Sequence, residues 1–194
     1  LKVTGSYFFN YSENNSLSAL SRQYFSKSDT TTFYNEASNT NSVNINHRGN
    51  FRFQFDIDSS NSVIISPRFT TQQNKRTADA NGNTSTNESL VLSNTNSLNK
   101  NNNFAYNISS EFLYRHKFKT RFRTLSFSVT PSVNNRQGIG TLNAYSYYSD
   151  DSTIINQETE SKSSNYAVAG NVSYTEPAGK SGMVQLSYDG SVTW

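Results

Sequence analysis

From Val43 to Ile57 the chain alternates without interruption. Val43, Ile45, His47, Gly49, Phe51, Phe53, Phe55 and Ile57 share one parity, while Asn44, Asn46, Arg48, Asn50, Arg52, Gln54 and Asp56 share the other. A period of two belongs to the β-strand, whose successive side chains point to opposite faces. The polar stretch Asp58-Ser59-Ser60-Asn61 then reads as a tight turn, after which Val63, Ile65, Pro67 and Phe69 resume the apolar parity against Arg68, Thr70 and Gln72. Residues 42–69 are therefore expected to form two long strands, each exceeding the five or six residues usual in globular proteins. A tilted strand of about ten residues is what crosses the hydrocarbon core of a bilayer.

Composition points the same way. Only 33% of the 194 residues are hydrophobic and the mean hydropathy is -0.72, below the apolar share of an ordinary soluble domain. Aromatic residues (Tyr 12, Phe 13) supply much of the apolar content. Low hydropathy with long alternating strands fits a transmembrane β-barrel, whose apolar band faces lipid and whose interior is polar. The 17 basic and 14 acidic residues are interspersed, so no run of charge points to nucleic acid. The absence of cysteine excludes disulfides and thiolate metal sites, and no apolar stretch is long enough for a spanning helix. Leu1-Lys2-Val3-Thr4-Gly5 already reads as strand rather than as a signal peptide.

In chain order, strand one runs from Leu1 to about Ser12, with Leu1, Val3, Gly5, Tyr7, Phe9 and Tyr11 on one side and Phe8 as the exception. The polar stretch 13–41 contains Leu20–Phe25 and Thr31–Tyr34, read as extensions of strands one and two that close at Ser26-Lys27-Ser28-Asp29. Asn81-Gly82-Asn83 is the tightest turn signal of the next excursion. Strand four carries Tyr106, Ile108, Phe112, Tyr114, His116 and Phe118; strand five carries Leu125, Phe127, Val129, Pro131 and Val133. A further excursion turns at Ser149-Asp150-Asp151. Strand six presents Tyr166, Val168, Gly170, Val172 and Tyr174, Glu176 to Lys180 turns the chain, and strand seven presents Val184, Leu186, Tyr188, Val192 and Trp194. The expected fold is all-β: an antiparallel up-and-down meander of about seven long strands over residues 1–194, part of a transmembrane β-barrel.

Three connections, near Ser59, Thr120 and Gly179, read as short turns. Three others, near Lys27, Asn81 and Asp150, read as polar segments about thirty residues long. Outer-membrane barrels pair short periplasmic turns with long extracellular loops, which predicts an outer-membrane protein with the second set outside. Phe118 and Phe122 at one end, and Tyr7, Phe9 and Tyr11 at the other, fall where interfacial aromatic girdles belong.

Asn46-His47-Arg48-Gly49-Asn50-Phe51-Arg52-Phe53, Leu113-Tyr114-Arg115-His116-Lys117-Phe118 with Arg123-Thr124-Leu125-Ser126, Ser173-Tyr174-Thr175-Glu176-Pro177, and Arg22-Gln23-Tyr24-Phe25 resemble the barrel portion of the TonB-dependent receptor-like outer-membrane family. The resemblance implies a barrel of about twenty-two strands, plugged by an N-terminal domain and energised by a periplasmic coupling protein. It implies as partners the lipid, the remaining strands, the plug and that coupling protein. Neither a plug domain nor a coupling motif is expected in these residues, and an odd strand count does not close an ordinary bacterial barrel. A segment of a larger barrel is expected; Trp194, with Tyr188 and Val192, alternatively reads as the aromatic end of a last strand.

Within that frame Arg48, Arg52, Gln54, Arg68, Glu111 and Arg115 are predicted to face the lumen. Phe51, Phe53, Phe55, Ile65, Phe69, Phe112, Tyr114, Phe127 and Val129 are predicted to face lipid. Tyr24, Phe25, Tyr145, Tyr147 and Tyr148 are extracellular-loop candidates, as ligand-stacking rings or as plain strand formers. His47 and His116 lie at apolar parity and read as interfacial aromatics rather than as catalytic bases or metal ligands. Asp150 and Asp151 with Glu158 and Glu160 are a candidate cation set, though solvated acids in a turn are the commoner meaning. No nucleophile elbow or nucleotide loop is present. The sequence thus predicts no enzyme and no cofactor, but the wall of a nutrient receptor. A surface β-sandwich of the adhesin type is the alternative.

Overall fold

The computed structural model describes residues 1–25, 31–86, 90–148, 151–179 and 182–194. They form seven strands: β1 Lys2–Phe25, β2 Thr31–Asp56, β3 Asn61–Thr86, β4 Val91–Lys117, β5 Thr124–Tyr148, β6 Ser152–Ala178 and β7 Gly182–Thr193. All lie in one antiparallel sheet in chain order, with β1 and β7 at its edges. The all-β meander of long strands read from the alternation is what the chain adopts.

The strands are longer than the alternation suggested. β2 and β3 each contain 26 residues, about 85 Å at the rise of an extended chain. The arms of the polar excursions are strand, as read for Leu20–Phe25 and Thr31–Tyr34 and for the arms around Asp150, and all three remain paired in register: Phe25 opposes Thr31, Thr84 opposes Ser93, and Tyr147 opposes Ser152. Asn81-Gly82-Asn83 is not a turn but lies within β3, facing Asn96, Thr95 and Asn94. That hairpin instead closes beyond Thr86, whose N–H donates to the Leu90 carbonyl at 2.9 Å. The expected turns at 26–29 and at 149–150 fall outside the described residues. Glu176, Pro177 and Ala178 are not turn residues, since they pair with Val184, Met183 and Gly182; the chain leaves β6 at Gly179, whose φ is +68°.

The turn at Asp58 is built by its own side chain. Oδ1 accepts from the N–H groups of Ser60 and Asn61, both at 2.7 Å, and the Asn61 amide donates to both carboxylate oxygens. These bonds favour the charged form and hold the Asp58 carboxyl below its ordinary range. At the β4–β5 turn Phe122 takes a positive φ of 67°, an unusual conformation for a bulky residue, and the Arg121 guanidinium sits 4.6 Å over its ring centroid.

There is no conventional core. Ile64 is the one buried hydrophobic residue among the described residues. It lies at polar parity between Gln54 and Leu113, an apolar pair that the alternation does not signal. Two prolines interrupt the ladder: paired rows are missing on β2 opposite Pro67 and on β4 opposite Pro131, where proline has no N–H to give. Ser110 faces Pro67 on one side and Pro131 by register on the other. Its buried hydroxyl has no hydrogen-bond partner.

Candidate membrane interface

Residues opposite one another in the sheet share a face, so the register shows how the faces of separate strands combine. Phe55, Val63, Tyr114, Phe127, Val172 and Tyr188 fall in one row; Val3, Phe53, Ile65, Phe112, Val129 and Gly170 fall in the next. Phe51 and Phe69 follow on the same face. All nine residues expected to face lipid are thus gathered on one surface. Phe51, Phe55, Phe112, Tyr114 and Phe127 are solvent-exposed there.

Aromatic rings border this apolar field at both ends. On the side of the turns near Ser59, Thr120 and Gly179, His116 meets Phe118 edge-on at 4.5 Å and Phe118 meets Tyr174 at 6.3 Å. On the far side, Phe9 and Tyr7 contact the His47 ring, Phe104 neighbours Tyr106, and Tyr166 stacks on Trp194 at 6.4 Å. Beyond that border the same face turns mostly polar: Glu13, Lys75, Asn102 and Glu160 share one row with Val43 and Ile139. Between its aromatic borders, from Ile57 to His47, the field is about 34 Å long along a strand.

The hairpins also fix the tilt. Followed across the sheet by the pairing register, successive turns on either side advance by about one residue per strand. With strands about 4.8 Å apart and a rise of about 3.4 Å, a plane through the turns is crossed at about 35° from its normal. The apolar field then has a height of about 28 Å, against about 25 Å for the outward band of a membrane barrel with strands tilted 35–45°.

Two glycines on this face are covered by rings from the paired strand. Phe51 lies opposite Gly5 and Phe69 opposite Gly49. A β-carbon on Gly49 would stand 2.2 Å from the Phe69 ring, and one on Gly5 2.5 Å from the Phe51 ring. An aromatic ring laid over a strand glycine restores the packing that glycine lacks.

The opposite face carries Arg48, Arg52, Gln54, Arg68, Glu111 and Arg115 together, as their register with one another requires. Gln54 donates to Asp56 at 3.1 Å. Phe8, the exception to the first alternation, lies on this face beside Arg48. On the turn side of the apolar field, Arg123 grips Glu176 with Nε and Nη2, and the Tyr174 hydroxyl donates to the same carboxylate. The Arg123 and Tyr174 hydrogen bonds hold the Glu176 carboxyl below its usual range.

The remaining candidates separate. His47 Nδ1 lies 2.6 Å from the Tyr7 hydroxyl, and His116 Nδ1 donates to Asn61 Oδ1 at 2.7 Å. Asn61 links His116 to Asp58, a connection across the turn that parity alone could not reveal. Asp151 lies outside β6, while Glu158 and Glu160 sit well along that strand opposite Thr141 and Ile139. The set is therefore spread along the strand rather than gathered. Among the described residues no three such groups are placed to hold a metal; Asp150 is outside them. Tyr24 and Phe25 belong to β1, and Tyr145, Tyr147 and Tyr148 to β5, so they are strand residues rather than loop residues.

No family model and no curated protein matches the sequence. Among solved structures the chain is similar to the membrane pore complex of pneumolysin at 8% identity and a TM-score of 0.17, over 97% of this chain and 31% of that one. It thus spans less than a third of that chain. It is also similar to the beta domain of the Bordetella autotransporter Brka at 9% identity and a TM-score of 0.15, over 91% of this chain and 90% of that one. Likenesses this slight carry no argument, and the functional reading rests on the sheet's own geometry.

Proposed function

We propose that this sheet is part of the wall of an outer-membrane β-barrel belonging to a solute-uptake receptor. The observation that carries the reading is the apolar field: one face, about 28 Å high at the tilt set by the hairpins, bordered by aromatic rings and polar beyond them. The apolar face meets lipid, and the face bearing Arg48, Arg52, Arg68 and Arg115 lines the interior. The three turns beside the field lie in the periplasm, and the long hydrophilic hairpin arms stand outside the cell, because barrels keep short turns on the periplasmic side. The motifs resembling TonB-dependent receptors support an energised receptor with a plug, completed by strands from elsewhere in the parent protein.

The test is made on the full-length parent protein, with an epitope inserted between residues 86 and 90. The expected result is outer-membrane fractionation, a heat-modifiable band on gels, and antibody binding to intact cells. A soluble product overturns the wall, and an epitope reached only after lysis overturns the orientation.

A further inference from the structure

The polar face holds an arrangement that a passive wall does not need. Arg68 of β3 pairs with Asn50 of β2, and Arg48 and Arg52 stand two residues to either side of Asn50 on that face. Diagonal neighbours in such a ladder are about 7–8 Å apart, so three guanidiniums share one patch of two strands. Like charges at this spacing repel one another. Their partners offer hydroxyls rather than carboxylates: Thr4 opposes Arg52, Thr70 opposes Arg48 and Ser109 opposes Arg68.

The nearest acid on the face offsets only part of this charge. Glu111 pairs with Ser66, which makes it a diagonal neighbour of Arg68, about 7–8 Å away, and places it two strands from Arg52, about 10 Å away. Among the described residues the one ion pair is Arg123–Glu176. A cleft of about 360 Å³ opens over the Arg52 and Arg68 side of this patch, lined by Thr4, Ser6, Asn50, Arg52, Ser66 and Arg68 among others. Farther along the same face, Arg136 borders a second, smaller cleft with Gln72, Asn107 and Asn134.

We propose that the Arg48–Arg52–Arg68 patch binds a small multivalent oxyanion, a polycarboxylate or phosphate-bearing solute, on its way through the barrel. This rests on the wall reading, which makes the face an interior, and it names the substrate class. Guanidinium forks match carboxylate and phosphate oxygens two at a time, and the hydroxyls between them donate to the remaining oxygens. Rings of arginine or lysine are the usual means by which pores select anions.

The experiment uses the full-length parent protein in outer-membrane vesicles, with its heat-modifiable band checked first. Arginines are labelled with phenylglyoxal and mapped by mass spectrometry, in citrate, in pyrophosphate, and in sodium chloride of matched ionic strength; Arg22, near the far end of β1, is the reference. The expected result is labelling of Arg48, Arg52 and Arg68 slowed several-fold by citrate or pyrophosphate but not by chloride, with Arg22 unchanged. Which of the two protects at lower concentration tells carboxylate from phosphate preference. Arg68→Gln should raise the protecting concentration about tenfold, as expected for losing one charge-assisted hydrogen bond. Equal labelling in all three solutions overturns the proposal, and so do arginines that are unreactive without any added anion, since they are then paired within the parent protein. With the heat-modifiable band intact, either outcome removes the anion site and leaves the wall standing; a missing band removes the wall itself.

Discussion

Phe53 and Gln54 are neighbours in sequence and lie on opposite faces of β2, which makes them a controlled test of the wall. Phe53 sits four residues from Ile57 and six from His47, near the middle of the apolar field. Its row contains Val3, Ile65 and Phe112, none of which can take up a guanidinium. An arginine at the midplane on the lipid face costs about 2–4 kcal/mol, equivalent to about 30- to 800-fold in the equilibrium between inserted and uninserted protein. Gln54→Arg places the same side chain beside Asp56, with which Gln54 already bonds, and opposite Lys2, so that attraction and repulsion largely offset on a watered face, and it is expected to change that equilibrium far less than Phe53→Arg. The assay is urea titration of the full-length protein in phosphatidylcholine vesicles, read by the heat-modifiable band. Phe53→Arg should lower the midpoint markedly or abolish insertion, with Gln54→Arg close to the parent. Equal losses, or the larger loss at Gln54, would refute the face assignment.

Three further outcomes follow from local geometry. Gly49→Ala should destabilise by about 1–3 kcal/mol through overpacking, because the new methyl meets the Phe69 ring that covers Gly49; the urea midpoint measures it, and an unchanged midpoint would show that the ring moves freely aside. Ser110→Ala should be neutral or stabilising by about 1 kcal/mol, since the hydroxyl removed is buried without a partner; a clear loss in the same titration would mean that it bonds in the folded protein. Glu176 has a depressed folded pKa, so its contribution is present above the ordinary glutamate value of about 4.3 and is lost as pH falls through the lower folded value. Unfolding midpoints followed from pH 7 down past about 4.3 and on through the lower folded value should fall less in Glu176→Gln than in the parent, and parallel profiles over that whole range would exclude the Arg123 clamp.

Alternation alone disclosed the strands and the two faces, because side-chain direction in a strand is a local property. What it could not disclose was register. Asn81-Gly82-Asn83 has the local chemistry of a turn, yet a hairpin folded there would set Phe69 opposite Thr95 instead of Ile108, its actual partner. Apolar pairing near the membrane end of β3 and β4 therefore decides a turn some twenty residues away, and the glycine is carried within the strand. The two aromatic borders were visible only as separate residues, since Tyr166 and Trp194 or Phe118 and Tyr174 meet through pairing. Ile64 and Leu113 were missed because a single apolar pair at polar parity leaves no periodic signal. The arginine patch was half visible: parity put Arg48, Arg52 and Arg68 on one face, and only the pairing of Arg68 with Asn50 drew them together.

The sheet continues well past the apolar field, and there it is held differently. Cross-strand polar pairs replace packing, among them Ser18 with Ser38, Ser21 with Asn35, Asn44 with Asn74 and Asn83 with Asn94. Each such pair contributes only about 0.2–1 kcal/mol, so the backbone ladder carries most of the order. Water can satisfy an open edge in this region, and along β6 beyond its pairing with β7 the charges of Glu158, Glu160 and Lys162 discourage a second sheet from docking. Within the field neither remedy works. In lipid every backbone N–H and C=O must be bonded within protein, yet β1 and β7 are the edges of the sheet and each has only one paired neighbour. On the wall reading both edges must therefore be closed by further strands at membrane depth, whereas the hydrophilic arms outside require none.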